Sequence, residues 1–260
     1  MGIILSIDTS QTRSDVAIAR DGQIIYSTSE DSRSDRAAFV IKKALSENNI
    51  TIDEIETILI GIGPGSFTGV RTGISFASGL IANTKVSCLG VSVLLSSTFV
   101  NRKQSGLYAA VLPASPKDSF GALVEVSPGS LPGSKAICRI HSGVLLFPND
   151  SLESSIKDSI ENYGLSQLEY VDVVEVEQVL KTQNNSESAI SLFSSAEVEM
   201  SEKIIENRQN LDEGSLWQVG LDGLSALYVK PVNAKTLHER RGKLGKNLDL
   251  AEHFGVVSPR

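Results

Sequence analysis

The run Gly63-Pro64-Gly65-Ser66-Phe67-Thr68-Gly69-Val70-Arg71-Thr72-Gly73-Ile74 stands between an apolar segment at 58–62 and a stretch of helical periodicity at 70–82. Three glycines and a proline in its first seven residues dictate a tight backbone path, and Val70, Ile74, Ala77 and Ile81 then fall on one helix face. The reading is strand, tight turn, helix. Ser66 or Thr68 is placed to cap the helix, whose free N–H groups and dipole favour an anion. The same residues also read as a rigid strand-to-helix connection with no ligand, which the physics alone favours. No Lys-Ser or Lys-Thr follows the glycines, so this is not a Walker loop.

Working outward, residues 3–8 form a short apolar run that ends on a carboxylate, and 16–20 and 23–27 follow as two more strands, the last pair joined at Asp21-Gly22. From a Ser34 cap the period changes to helical, with Ala37, Val40, Ile41, Ala44 and Leu45 on one side and Lys42 and Lys43 on the other. Beyond the glycine-rich run, 86–90 reads as a strand and 93–101 as a helix. Three antiparallel strands followed by helix–strand units give a mixed sheet, in the order of an actin-like ATPase half-domain (the ribonuclease H-like, ASKHA arrangement). The pattern restarts at 107–112, 121–126 and 136–140, with helices expected at 152–163 and 189–206 and a strand at 171–176. The expected architecture is α/β with two lobes, 1–104 and a degenerate 105–230, then a basic tail at 231–260.

A chain of 260 residues with 41% hydrophobic and 21% charged residues can bury the cores of two modest lobes. No apolar run is long enough to span a bilayer and the N-terminus has no basic or cleavable leader, so a cytoplasmic location with no membrane partner is expected. Cys88 and Cys138 show no framework spacing and read as reduced core residues. The net charge is −7, and only the tail is basic. A body of this sign does not displace phosphate counterions, so any nucleic acid would be held by a partner.

Asp8-Thr9-Ser10 at the first strand end is the second candidate site. In actin-like ATPases an acid and a small turn here meet nucleotide phosphate and metal-bound water; an acid at a strand end is also a common turn former. With Gly63, Gly65, Ser66 and Thr68 it makes up the candidate phosphate-contacting set. The matching hairpin of the second lobe reads Val111-Leu112-Pro113-Ala114-Ser115-Pro116-Lys117, without the second carboxylate a phosphoryl-transfer enzyme supplies. His141, His238 and His253 are scattered, with no i, i+4 pair, so neither catalytic residues nor a metal site is expected. The two first-lobe helices carry small residues, Ala37, Ala38, Ile41 and Ala44 on one and Gly73, Ala77 and Leu80 on the other, that would let a partner's helices approach. Packing on their own sheet is the alternative, and for each single residue the better-founded one.

The opening Ile3-Ile4-Leu5-Ser6-Ile7-Asp8-Thr9-Ser10, the block Gly63 to Leu80 (GPGSFTGVRTGISFASGL) and Gly90-Val91-Ser92-Val93-Leu94 resemble the TsaB family, formerly grouped with glycoprotease-like proteins. Leu227-Tyr228-Val229-Lys230-Pro231 with Ala234 is similar to that family's closing strand. The resemblance implies an actin-like fold without a complete active site. It also implies a non-catalytic role as partner and stabiliser of the catalytic homologue TsaD, pairing through the two first-lobe helices with TsaD or with a second copy. With the ATPase TsaE and a separate enzyme that makes threonylcarbamoyl-adenylate, that pair modifies the adenosine beside the anticodon of tRNAs reading A-starting codons. No resident cofactor is implied, only ADP or ATP at the interface of the complex. The catalytic homologue carries a metal-binding histidine pair on its first-lobe helix, where this chain has Asp35, Arg36 and Phe39. Departures are the missing histidine at the start of that helix and Pro113-Ala114-Ser115 in place of an Asp-Ala-Arg-like strand.

Three other readings compete: an actin-like small-molecule kinase or ATPase using Asp8 and the glycine-rich loop, a metalloprotease, and a homodimeric interaction protein unrelated to tRNA. The first lacks a second carboxylate and an adenosine-binding turn, and the second lacks the histidine pair.

Overall fold

A computed structural model of the protein describes residues 2–31, 37–82, 84–129, 134–200 and 217–219. All of them fall within one compact unit, Met1–Val229. The expected Ser34 cap, the closing strand from Leu227, the basic tail, and His238 and His253 lie outside the described residues.

The first sheet grows from the three strands read at the N-terminus. β1 (Ile3–Asp8), β2 (Ser14–Arg20) and β3 (Gln23–Glu30) form an antiparallel meander. Asp21 and Gly22 both have positive φ, 50° and 83°, as a two-residue hairpin turn matched to strand twist requires. After α1 (Ala37–Glu47), β4 (Ile55–Gly61) lies parallel to β1, and after α2 (Phe67–Ile81), β5 (Ser87–Val91) lies parallel to β4. A late strand, β12 (Trp217–Val219), pairs antiparallel with β5 and gives the order β12-β5-β4-β1-β2-β3. A piece of the 105–230 segment therefore completes the first sheet.

The second sheet repeats the plan with losses. β6 (Gly106–Pro113), β7 (Asp118–Ser127) and β8 (Ala136–Ile140) form the meander, and β10 (Val171–Glu175) lies parallel to β6 as β4 does to β1. Where the first sheet goes on to β5, no strand pairs beside β10 among the described residues; β11 (Ala196–Met200) instead extends the far edge, parallel to β8. A short β9 (Leu145–Pro148) pairs with β7, and α4 (Leu152–Asn162) covers Leu107, Ala109, Val111, Leu123 and Phe147.

Three expectations change in this half. The helix read at 189–206 is α6 (Asn185–Ser195), capped by Asn184, and the chain then becomes β11. Ala196-Glu197-Val198-Glu199-Met200 is rich in helix formers, yet its apolar and acidic residues alternate, and pairing with β8 overrides propensity. The strand read at 171–176 stops at Glu175, where α5 (Val176–Thr182) begins. β9 and α5 gave no periodic signal, being four and seven residues long.

Two helices cross between the lobes. α3 (Val93–Asn101), from the first half, packs on β6 and β7, whereas α6, from the second half, packs on β1, β2 and β4. One continuous apolar core results, running from Ile4 and Ile18 through Leu94 and Phe99 to Tyr108, Val124 and Ile190. The strand period of two divides the first sheet cleanly. Leu5, Ile7, Val16, Ile18, Ile58 and Ile60 face α1 and α2; Ser6, Asp8, Asp15, Ala17 and Ala19 face α6.

Candidate functional site

The two sequence motifs, far apart in the chain, interlock. Asp8 ends β1, and its Oδ1 accepts from the Ser10 backbone N–H at 2.6 Å, closing a turn. Thr9 Oγ1 donates to the Gly69 carbonyl at 2.7 Å, Ser66 N–H to the Ser10 carbonyl at 2.6 Å, and Gln11 Nε2 to the Pro64 carbonyl at 3.0 Å. The glycines are what permits this. A Cβ on Gly65 would sit 2.1 Å from the Ser10 carbonyl oxygen, one on Gly69 2.0 Å from that of Thr9, and one on Gly61 2.3 Å from the Asp8 carboxyl carbon. Gly63 has φ 92°, a conformation side chains rarely adopt. Ser66 caps α2 by accepting from Gly69 N–H at 3.2 Å, and α2 starts at Phe67, three residues earlier than the periodicity indicates.

Asp8, Thr9 and Ser10 are all buried, Asp8 being 3% exposed. Their polar atoms point into the molecule. Asp8 Oδ2 accepts from Asn185 Nδ2, at the start of α6. Asp15, its cross-strand neighbour on β2, accepts the Asn185 backbone N–H at 2.8 Å and the Ser29 hydroxyl, and its own carbonyl accepts from Ser186 Oγ at 2.8 Å. Ser96 Oγ of α3 donates to Asn185 Oδ1 at 2.7 Å. Burial pushes the Asp8 carboxyl up to about 6, against the pull of its Ser10 hydrogen bonds. Asp15 is raised by burial too, partly offset by Ser29 and Asn185. Of the candidate phosphate-contacting residues, Gly65, Ser66 and Thr68 face solvent and Gly63 is buried. The loop is the rigid connection that its glycines also implied, shaped around the Asp8 turn. Asn184, Asn185, Ser96 and Asp15 are partners the sequence reading missed; Asn184-Asn185-Ser186-Glu187 is an N-cap signature that would have placed the helix start.

The candidate interface set is divided by the structure. Ala37, Ile41, Ala44, Gly73 and Ala77 are buried beneath α1 and α2, Leu80 is half-buried, and Ala38 is exposed. Ala37 is 1% exposed, so Ala37→Glu would drive a charge into the core. The outward faces carry other residues. On α1 these are Ala38, Phe39 (64% exposed) and Lys42. On α2, Phe67, Thr68, Arg71, Thr72, Ser75 and Phe76 line an open groove of about 580 Å³, with the Arg71 guanidinium 4.1 Å from the Phe67 ring centre.

Other chemistry is sparse among the described residues. No group of three or more histidine, cysteine, aspartate or glutamate side chains converges to hold a metal, and no helix is long and apolar enough to cross a membrane. His141 Nε2 lies 2.9 Å from Glu125. Cys88 and Cys138 are free and buried, which pushes their thiols up to about 11 and about 12.

Two mixed sheets with exchanged helices define an α/β protein of the actin-like ATPase fold. Solved structures agree. YeaZ from Pseudomonas aeruginosa matches 74% of this chain and 90% of its own with a TM-score of 0.52 at 19% identity, and a protein described as similar to the peptidase YeaZ of that organism matches 88% and 100% with a TM-score of 0.57 at 18% identity. Within that class the chain is similar, over part of its length, to TsaB proteins. It is 36% identical over 95 residues to the tRNA threonylcarbamoyladenosine biosynthesis protein TsaB of Buchnera aphidicola subsp. Schizaphis graminum, covering 35% of this chain and 45% of the relative. Against TsaB of Escherichia coli it is 33% identical over 95 residues (36% and 41%), and against that of Bacillus subtilis 28% over 131 residues (49% and 57%). The chain thus spans about half the length of the curated relatives it matches. A family model described as TsaD, tRNA N6-adenosine threonylcarbamoyltransferase, matches residues 10–114.

Proposed function

We propose that this chain is a non-catalytic subunit in tRNA threonylcarbamoyladenosine biosynthesis, binding and stabilising a TsaD-type transferase that acts on the adenosine beside the anticodon. The likeness to TsaB proteins and to the TsaD family model supports the pathway. The observation that supports the non-catalytic part is Asp8: it is buried, and each carboxylate oxygen accepts from an internal donor. The partner would meet the outward faces of α1 and α2, through Ala38, Phe39, Phe67 and Arg71, and a free copy would self-associate through the same face. A TsaE-type ATPase joins through the complex, tRNA is held by the transferase, and ADP or ATP belongs to the boundary with it. The acidic balance of −7 fits a subunit that leaves nucleic acid to its partner.

The test is a pull-down of the protein from its own cell extract, with mass spectrometry of the eluate and a threonylcarbamoyladenosine assay after depletion. Co-elution of a TsaD-type protein with loss of the modified nucleoside is expected. An ATP-consuming chain without such a partner, or unchanged nucleoside, would overturn the proposal in favour of a small-molecule kinase or an unrelated homodimer.

A further inference from the structure

Four elements meet where the inner face of the first sheet ends: β1, β2, α3 and α6. Asp8 and Asp15 stand opposite one another there, two carboxylates withdrawn from water, an arrangement that repels itself unless donors surround it. The donors come from 170 and 177 positions away, as the backbone N–H and side-chain amide of Asn185. Asn185 is itself held, since Ser96 Oγ occupies its carbonyl at 2.7 Å and so leaves its Nδ2 to Asp8. Asn184 adds a tether to the edge strand, Nδ2 donating to the Thr28 carbonyl at 2.8 Å. A helix start facing oxyanions is how many proteins hold phosphate; here the oxyanions are the chain's own.

We propose that Asp8, Asp15 and Asn185 form a latch that holds the two lobes closed on one another and keeps phosphate-bearing ligands away from the Asp8 turn. Because α6 comes from the second half of the chain and packs on β1, β2 and β4, this contact decides whether the helix start stays seated on the strand ends. Arg13 and Glu187 are the other charges that act on Asp15, with opposite signs. The latch goes beyond the partner reading and stands whether or not a TsaD-type protein binds.

Hydrogen exchange with mass spectrometry on the full chain tests it. In Asn185→Ala, exchange should quicken about tenfold at both residues 6–10 and residues 184–190, with the region 145–162 on the far side of the second sheet unchanged. Should that variant not fold, Ser96→Ala should give the same paired pattern at about threefold. Quickening on one side alone, or evenly across the chain, would overturn the latch. On the unaltered protein, MgADP or MgATP should leave exchange at residues 6–10 unchanged; protection there would overturn the exclusion of phosphate.

Discussion

The two faces of the first sheet are built on opposite principles. The outer face is wholly branched aliphatic, Leu5, Ile7, Val16, Ile18, Ile58 and Ile60, and is covered by α1 and α2 from the same half of the chain. The inner face mixes Ile4 and Leu59 with the small and polar Ser6, Asp8, Asp15, Ala17 and Ala19, and is covered by a helix from the other half. Large side chains make a face adhesive without specifying what covers it; small and polar ones let a helix approach closely and fix it in one register through hydrogen bonds. The outer layer holds the lobe together, and the inner layer fixes how the second half sits on it.

Substitutions separate the two principles. The largest effect is expected at the seam between the motifs: Gly69→Val would press a side chain on the Thr9 carbonyl and should cost about 3 kcal/mol or more in urea unfolding. Next comes Asp8→Asn. The rise of Asp8 from 3.8 to about 6 means that the folded state keeps a proton the unfolded chain has lost, so this group's contribution is full below about pH 4 and is lost as pH rises through about 6. The shift corresponds to roughly 3 kcal/mol. The amide removes this titration and should flatten the slope of stability between about pH 4 and 6, measured by thermal unfolding across that range, but its NH2 would face one of the two donors that Asp8 accepts, so the gain at neutral pH should fall short of that figure. Asp15, raised in the same direction, adds a slope of the same sign.

Ser6→Ala is a finer probe of the inner face. Ser6 Oγ is buried without a hydrogen-bond partner, so its removal should stabilise the protein by about 1 kcal/mol in the same unfolding experiment. The smallest effect on stability is expected outside, at Phe39→Glu, within about 0.5 kcal/mol. That substitution should instead weaken association with a TsaD-type partner by about tenfold or more in a titration of the two purified proteins. A large loss of stability there with unchanged association would reverse the assignment of the outer helices.

The outer face was legible in the sequence because its residues announce themselves. Ile3 to Asp8, the Asp21-Gly22 turn and the helix beginning at Ala37 follow hydrophobic period and turn chemistry alone. The inner face was not, because Ser6, Ala17 and Ala19 give no apolar alternation and the partner of Asp8 lies 177 positions away. Most of the candidate interface residues are turned inward. Periodicity marks the apolar face of a helix, and that is the face that gets buried; Ala37, Ile41, Ala44, Gly73 and Ala77 were found for the reason that hides them. The aromatic on the other side, Phe39, is the exposed one. In the glycine-rich loop the turn was legible, but not that its glycines make room for Thr9 and Ser10, which is a fact about a second segment. β11 was hidden by Ala, Glu and Met, whose helical preference masks their alternation.

The exchange of α3 and α6 also sets a timetable. During synthesis at about 5–20 residues per second, the inner face of the first sheet waits about 5–20 s between the emergence of β5 and that of α6. Throughout that interval Asp8 and Asp15 stay hydrated and the nascent lobe remains open on one side, so a ribosome pause near residue 100 would leave an unfinished sheet available to chaperones rather than a completed half-molecule.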